Sequence, residues 1–230
     1  MDSPTSCLTG TLETGTSDVT VPTFRAIVFD LDGVLIDSMP CHRAAFEEVF
    51  RPFGVTGFDS LMYAGWKTAD VVERVLRQHP DAVADVTRRK SELAREKMAA
   101  SNPIYPDCLA VLKELAPRYA LGLASSGARQ SVQQFLTTNQ CESLFQSVLS
   151  GEDVGRAKPD PEIYERSFAR LNVSPVEGVV IEDAVAGIQS ANAAGAGAII
   201  GIAGTCSSGQ LMEAGATVVI GSLSEILQTL

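Results

Sequence analysis

The chain has 230 residues, of which 45% are hydrophobic and 20% charged, and it carries a net charge of −10. This length supports one large domain or a core with a smaller insert, burying roughly 70–75% of the unfolded surface, so neither disulfides nor a structural metal is required. The acidic balance argues against nucleic acid or anionic membrane as partner, since both reward basic surfaces; a chain of this charge that handles an anionic substrate must build a local positive site, and a divalent metal with one lysine does so economically.

In chain order, residues 1–22 are rich in Ser, Thr, Gly and Asp without an apolar segment, so they read as a disordered tail and not as a secretory signal. Ala26-Ile27-Val28-Phe29 is a continuous apolar run ending at Asp30, the pattern of a strand buried on both faces of a parallel sheet. Residues 39–106 then show no convincing strand but three helical stretches, near 40–52, 67–79 and 81–101, bracketed by Pro40 and by Pro103 and Pro106. This reads as a helical insert placed to close over the first strand's end as a lid. Its charged stretch, Arg88-Arg89-Lys90 to Arg95-Glu96-Lys97, reads as a solvated helix face.

Beyond the insert, Leu109, Leu112 and Leu115 share a helix face, and Tyr119 to Ala124 is a second strand pattern, ending at Ser125. Asp160-Pro161 reads as an N-cap followed by proline at N1, before a helix with Tyr164, Phe168 and Leu171 on one face. Gly178 to Ile181 ends at Glu182-Asp183, Gly195 closes a helix over 184–194, and strands at 198–202 and 217–220 complete the set. Strands alternating with helices imply right-handed crossovers and a doubly wound α/β fold with a parallel sheet. The expected division is a core of residues 23–38 and 107–230 and a helical cap of residues 39–106. The five cysteines (Cys7, Cys41, Cys108, Cys141 and Cys206) are widely spaced with no CxxC pair, as expected of reduced thiols in the cytoplasm, and Cys41 reads as buried packing. No apolar stretch reaches the ~18 residues of a membrane span.

In such sheets ligands gather at the carboxyl ends of the strands, where Asp30, Ser125 and Glu182-Asp183 all fall, with Lys158 just before a helix. An isolated D-x-D-G is an acidic turn or the start of a calcium loop, but the EF-hand spacing fails here, because position 12 is Cys41. Two acidic clusters brought together repel by about 5 kcal/mol per charge pair at ~3.5 Å, which a cation must offset. Few, hard oxygen ligands suit Mg²⁺. The set reads as a Mg²⁺-assisted phosphoryl-transfer site with aspartate as nucleophile.

Four stretches, D-x-D-G-V-L-x-D-S from Asp30, A-S-S-G from Ala124, Lys158-Pro159-Asp160-Pro161 and I-E-D-A-x-A-G-I from Ile181, resemble the haloacid dehalogenase superfamily, in order, from about residue 24 to the C-terminus. The resemblance implies a Rossmann-like core with an inserted α-helical cap. It implies Asp30 as nucleophile, forming an aspartyl-phosphate, and Asp32 as general acid and then base. Asp30, the Asp32 main-chain carbonyl and Asp183 would hold Mg²⁺, with Glu182 coordinating or organising its waters. Ser125, Ser126 and Gly127 would bind phosphoryl oxygens, and Lys158 would neutralise their charge. Asp32 separates the chain from the dehalogenase and phosphonate-cleaving branches, which lack that residue.

Ala64-Gly65-Trp66-Lys67-Thr68 resembles the H-G-x-R-T cap motif of sugar-phosphate and glycerol-phosphate phosphatases, with Ala64 and Lys67 substituted. Lys67 is a substrate contact or a solvated lysine. His42 positions Asp32 or is a structural hinge residue. Arg129 faces the leaving group or, as favoured, the surface, and Trp66 stacks on a ring-bearing substrate or, as favoured, packs between cap and core. The leading expectation is a Mg²⁺-dependent phosphatase of a small phosphorylated metabolite, a sugar or polyol phosphate. The alternatives are a phosphomutase resembling β-phosphoglucomutase and a non-catalytic phosphate or metabolite sensor. Oligomeric state is left open, a monomer being compatible with the sequence.

Overall fold

The computed structural model describes residues 23–63 and 65–230; the expected tail over residues 1–22 and Ala64 of the cap motif lie outside the described residues. The strands are β1 (Ala26–Phe29), β2 (Ala120–Ala124), β3 (Ser147–Leu149), β4 (Gly178–Glu182), β5 (Ala198–Ile202) and β6 (Val218–Ile220). They form one parallel sheet in the order β3-β2-β1-β4-β5-β6. The chain winds outward from β1 through β2 to β3, then crosses back to β4 on the other side of β1. The β1–β4 boundary is therefore the topological switch point.

Alternation along the strands explains why these runs are apolar throughout. Ile27 and Phe29 of β1, with Val179 and Ile181 of β4, point into one hydrophobic cluster. Val28 and Val180, one residue out of phase, point into the other. Helices α4 (Cys108–Leu115) and α5 (Arg129–Thr138) supply the first cluster through Leu112, Leu115 and Phe135. Helices α6 (Glu162–Leu171) and α7 (Val185–Ala193) supply the second through Tyr164, Phe168 and Ile188. α8 (Ser208–Ala214) and α9 (Ile226–Thr229) complete the layers.

Between β1 and α4, the insert folds as α1 (Met39–Phe50), α2 (Thr68–Val75) and α3 (Val83–Ser101) around its own cluster, which includes Phe46, Phe50, Val72, Leu76 and Leu93. No helix among the described residues is long and apolar enough to cross a membrane.

Four details depart from the sequence reading. Strand β3 gave no signal: it has three residues, one of them the buried Ser147, and it pairs on one side only. Helix α6 begins one residue later than expected, with Pro161 as its flanking residue, although the Asp160 carboxylate still accepts from the Glu162 N–H at 3.0 Å. The Arg88–Lys97 stretch is not uniformly solvated: Arg88 and Arg89 pair with Glu92 at the surface, whereas Lys90 is buried at 3% exposure. Cys41 is half-buried, with Sγ 3.7 Å from the Ser101 hydroxyl, and not packed in a core. Gly195 does close α7, at φ +75°.

Candidate active site

Strand register assembles the acidic cluster. Phe29 pairs with Leu123 on one side and Ile181 on the other, so the next residues, Asp30 and Glu182, come level at the carboxyl end of the sheet. The Asp30 N–H donates to the Ile181 carbonyl at 3.0 Å, which holds Asp30 to the tip of β4. Asp30, Glu182 and Asp183 are all buried, and one carboxylate oxygen of each lies within 4.8 Å of the others. Gly33 makes the approach possible. Its φ of +82° suits glycine, and a Cβ there would overlap the Asp183 carboxylate.

Lys158 reaches this cluster from the loop before α6. Its ammonium donates to Asp30 Oδ1 at 2.5 Å, to Glu182 Oε1 at 2.6 Å and to the Ala124 carbonyl at 3.2 Å. Burial opposes the charge on Lys158, but Asp30 and Glu182 hold its pKa well above the ordinary value. Glu182 is bonded through both oxygens: Tyr164 Oη donates to Oε1 at 2.7 Å, and the Asp183 and Ala184 N–H groups donate to Oε2 at 3.0 and 3.2 Å. Its Oε1 is shared between the Lys158 ammonium and the Tyr164 hydroxyl. Asp183 accepts a hydrogen bond from the Thr205 hydroxyl in the loop after β5.

Charge does not balance within this cluster: three buried carboxylates face one ammonium among the described residues. Burial therefore pushes the Asp30 carboxyl up to about 8, and burial with the neighbouring Glu182 pushes Asp183 well above the carboxylate range. An excess of two negative charges on hard oxygen donors is what a divalent cation such as Mg²⁺ would offset, so the residues present fit that group.

Asp32 has different surroundings. Its Oδ1 accepts from the Ser38 hydroxyl and lies 3.1 Å from His42 Nε2, and its Oδ2 is 3.4 Å from the Ser125 hydroxyl. Burial alone would raise this carboxyl, but His42, Ser38 and Lys90 hold it down at about 2. Lys90 Nζ is 2.7 Å from His42 Nδ1, 3.3 Å from the Thr68 hydroxyl and 4.2 Å from the centre of the Phe46 ring. An ammonium only donates, so His42 Nδ1 must accept and Nε2 must carry the hydrogen given to Asp32. Burial and Lys90 lower the His42 pKa against the pull of Asp32, which keeps the ring neutral and suits this tautomer.

A pocket opens between sheet tip and cap. Asp30, Asp32, Ser126, Gly127 and Asp183 line its core end, and Phe46, Ser60, Tyr63, Trp66, Thr68 and Lys90 line its cap end. Ser125 lies beneath this surface at 0% exposure, its Oγ accepting from the Gly127 N–H at 2.9 Å. Of the three substrate candidates, only His42 lines the pocket. The Lys67 ammonium donates to the Val154 carbonyl at 3.0 Å, a clasp between cap and core. Arg129 is exposed and pairs with Asp153 at 3.0 Å and Glu152 at 3.7 Å. Trp66 is not buried between cap and core: it stays 38% exposed on the pocket wall.

Sequence reasoning missed Lys90, Thr205 and the Tyr164 hydroxyl. Lys90 carried a readable signal, since it shares helical spacing with the buried Val86, Leu93 and Ala94. Tyr164 was counted as core, but a buried phenol needs a partner. Thr205 gave no signal of its partner.

The profile of a family described as haloacid dehalogenase-like hydrolase matches residues 27–200. The chain is 34% identical over 180 residues to validoxylamine A 7'-phosphate phosphatase of Streptomyces hygroscopicus subsp. limoneus, covering 75% of this chain and 83% of that one. It is 31% identical over 217 residues to a phosphorylated carbohydrates phosphatase of Thermotoga maritima, covering 90% and 98%. Among solved structures, CbbY of Rhodobacter sphaeroides in complex with xylulose-(1,5)bisphosphate superposes with a TM-score of 0.76 at 26% identity, covering 88% of this chain and 96% of that one.

Proposed function

The chain belongs to the haloacid dehalogenase-like hydrolase family and is a phosphoric monoester hydrolase; we propose that it is a Mg²⁺-dependent phosphatase of a sugar or polyol phosphate, acting through an aspartyl-phosphate on Asp30. The observation that carries this reading is the meeting of Asp30, Glu182 and Asp183 within 4.8 Å at the floor of a pocket roofed by the cap. The relatives named for phosphorylated carbohydrates and for validoxylamine A 7'-phosphate support a small phosphorylated metabolite as substrate.

Asp30, the Asp32 main-chain carbonyl and Asp183 would hold the Mg²⁺, which when bound supplies positive charge against the phosphate. Asp30 Oδ attacks phosphorus, and the bond from phosphorus to the leaving oxygen breaks. Asp32 gives that oxygen a proton and later takes one from the water that cleaves the aspartyl-phosphate, restoring Asp30 and releasing phosphate. The free site holds Asp32 ionised, so the acid step requires the substrate phosphate's own negative charge to raise it. His42 and Lys90 orient the Asp32 carboxylate from the cap. Lys158 keeps one ammonium on Asp30 and would meet the charge spread over the phosphoryl oxygens. The Ser126 and Gly127 end of the pocket would receive those oxygens, with Ser125 bracing the turn from below. The cytoplasm, where free thiols persist, is the proposed location.

Phosphate release from a panel of sugar and polyol phosphates in Mg²⁺ tests the reading. Release should stop with EDTA and in Asp30→Asn; undiminished release from that variant removes the nucleophile assignment. One observation favours a phosphomutase instead, the buried Lys90 ammonium at the cap end, where a second phosphate could bind. Conversion of glucose 1-phosphate to glucose 6-phosphate without net phosphate release would establish that reading.

A further inference from the structure

The cap end of the pocket is built differently from its catalytic floor, and its construction bears on which leaving group it takes. Trp66, the chain's single tryptophan, is 38% exposed although it lines the pocket. Its ring meets Tyr63 edge-on, with centroids 5.8 Å apart and planes at 90°. Tyr63 is stacked on Phe58 at 5.6 Å and 9°, and Phe58 in turn contacts Phe46 at 5.1 Å and Phe50 at 4.9 Å. Tyr63 is thus backed by the cap core. Trp66 has no such backing on its open side, so the two rings make a right-angled concave corner.

That corner is held in place relative to the phosphate end. On one side of Trp66, the Gly65 carbonyl accepts from the Ser126 hydroxyl at 2.8 Å; on the other, Lys67 donates to the Val154 carbonyl at 3.0 Å. The Trp66 N–H itself donates to the Tyr63 carbonyl at 3.0 Å. Both neighbours of the tryptophan therefore clasp the core, one of them through a residue of the expected phosphate-binding turn.

Polar groups stand beside the aromatic faces. Ser60, three residues before Tyr63 and only 7% exposed, lines the pocket, and its hydroxyl has no hydrogen-bond partner among the described residues. The Thr68 hydroxyl, which accepts from Lys90 at 3.3 Å and keeps its own hydrogen free to donate, lines the same space. A saturated ring bearing hydroxyls matches this arrangement: its C–H face lies on the aromatic surface while its rim oxygens meet the donors. A short open chain offers no such face.

We propose that the Trp66–Tyr63 corner selects phosphomonoesters whose leaving group carries a hydroxylated saturated ring, a pyranose or a cyclitol, over short acyclic polyol phosphates. The proposal rests on the phosphatase reading of the site and narrows its substrate.

Two measurements test it. In steady-state hydrolysis, the ratio of kcat/KM for glucose 6-phosphate or myo-inositol 1-phosphate to that for glycerol 1-phosphate should favour the ring in the wild type. It should fall about tenfold in Trp66→Ala, a difference of about 1.4 kcal/mol, and recover in large part in Trp66→Phe. An unchanged ratio, or equal losses for both substrate classes, overturns the proposal while leaving the phosphatase reading intact. Should no phosphomonoester be turned over, that reading fails, and binding decides the corner's role. Fluorescence of Trp66 in Asp30→Asn should then shift saturably with glucose 6-phosphate and not with glycerol 1-phosphate; no ring-selective shift overturns the proposal.

Discussion

At the sheet tip, Asp30 and Glu182 are placed by β1 and β4, whose register brings them level, with Asp183 the next residue along the chain. Across the pocket, Lys90, Thr68 and Trp66 reach in from helices and turns of the insert, and their positions depend on how the cap sits on the core. The first region pairs buried charges of opposite sign and carries excess negative charge. The second relays a single ammonium through a neutral imidazole to Asp32. A rigid parallel sheet suits chemistry that needs fixed oxygens, whereas a separately packed cap can vary its wall without disturbing them.

If that contrast holds, damage at the tip should far exceed damage at the wall. Asp30→Asn should lower phosphate release by about four orders of magnitude or more while the far-UV circular dichroism stays native; a loss of only severalfold would place the decisive group elsewhere. Lys158→Met leaves two buried carboxylates without their ammonium and should destabilise the metal-free protein by about 3–5 kcal/mol, read from urea unfolding in EDTA. On the cap side, Lys90→Met should reduce kcat about tenfold with KM nearly constant, because the lost contact orients Asp32 through His42, a modest share of an acid–base contribution of about 10²–10⁴-fold. A matching rise in KM would reveal a direct substrate contact. Thr205→Val, which removes the hydroxyl steering Asp183, should weaken Mg²⁺ binding about tenfold in isothermal calorimetry; unaltered affinity would make that hydrogen bond a packing detail. The substrate-ratio change in Trp66→Ala completes the series as an effect on selectivity.

Much of the tip was legible because a strand buried on both faces must be a continuous apolar run, so its end is marked wherever a polar or charged residue first appears. Asp30, Ser125 and Glu182 are such marks. Strand β3 was not legible, since three residues with a serine among them carry no run to interrupt. The insert's helices were visible from their apolar spacing, but the faces of their long polar residues were not. Lys67 and Lys90 differ little as letters; one clasps the Val154 carbonyl and the other lies buried against His42.

By itself, then, the sequence determined the parallel α/β core, the helical insert and the acidic residues at the strand ends, because hydrophobic periodicity and interrupted apolar runs are local properties of the chain. Only the tertiary structure decided that Glu182 spends its oxygens on Lys158, Tyr164 and backbone amides, that Thr205 holds Asp183, and that Trp66 faces the pocket. Those pairings join residues whose separation along the chain says nothing of their distance in space. Their hydrogen bonds follow from strand register and from the seating of the cap, which no local pattern encodes.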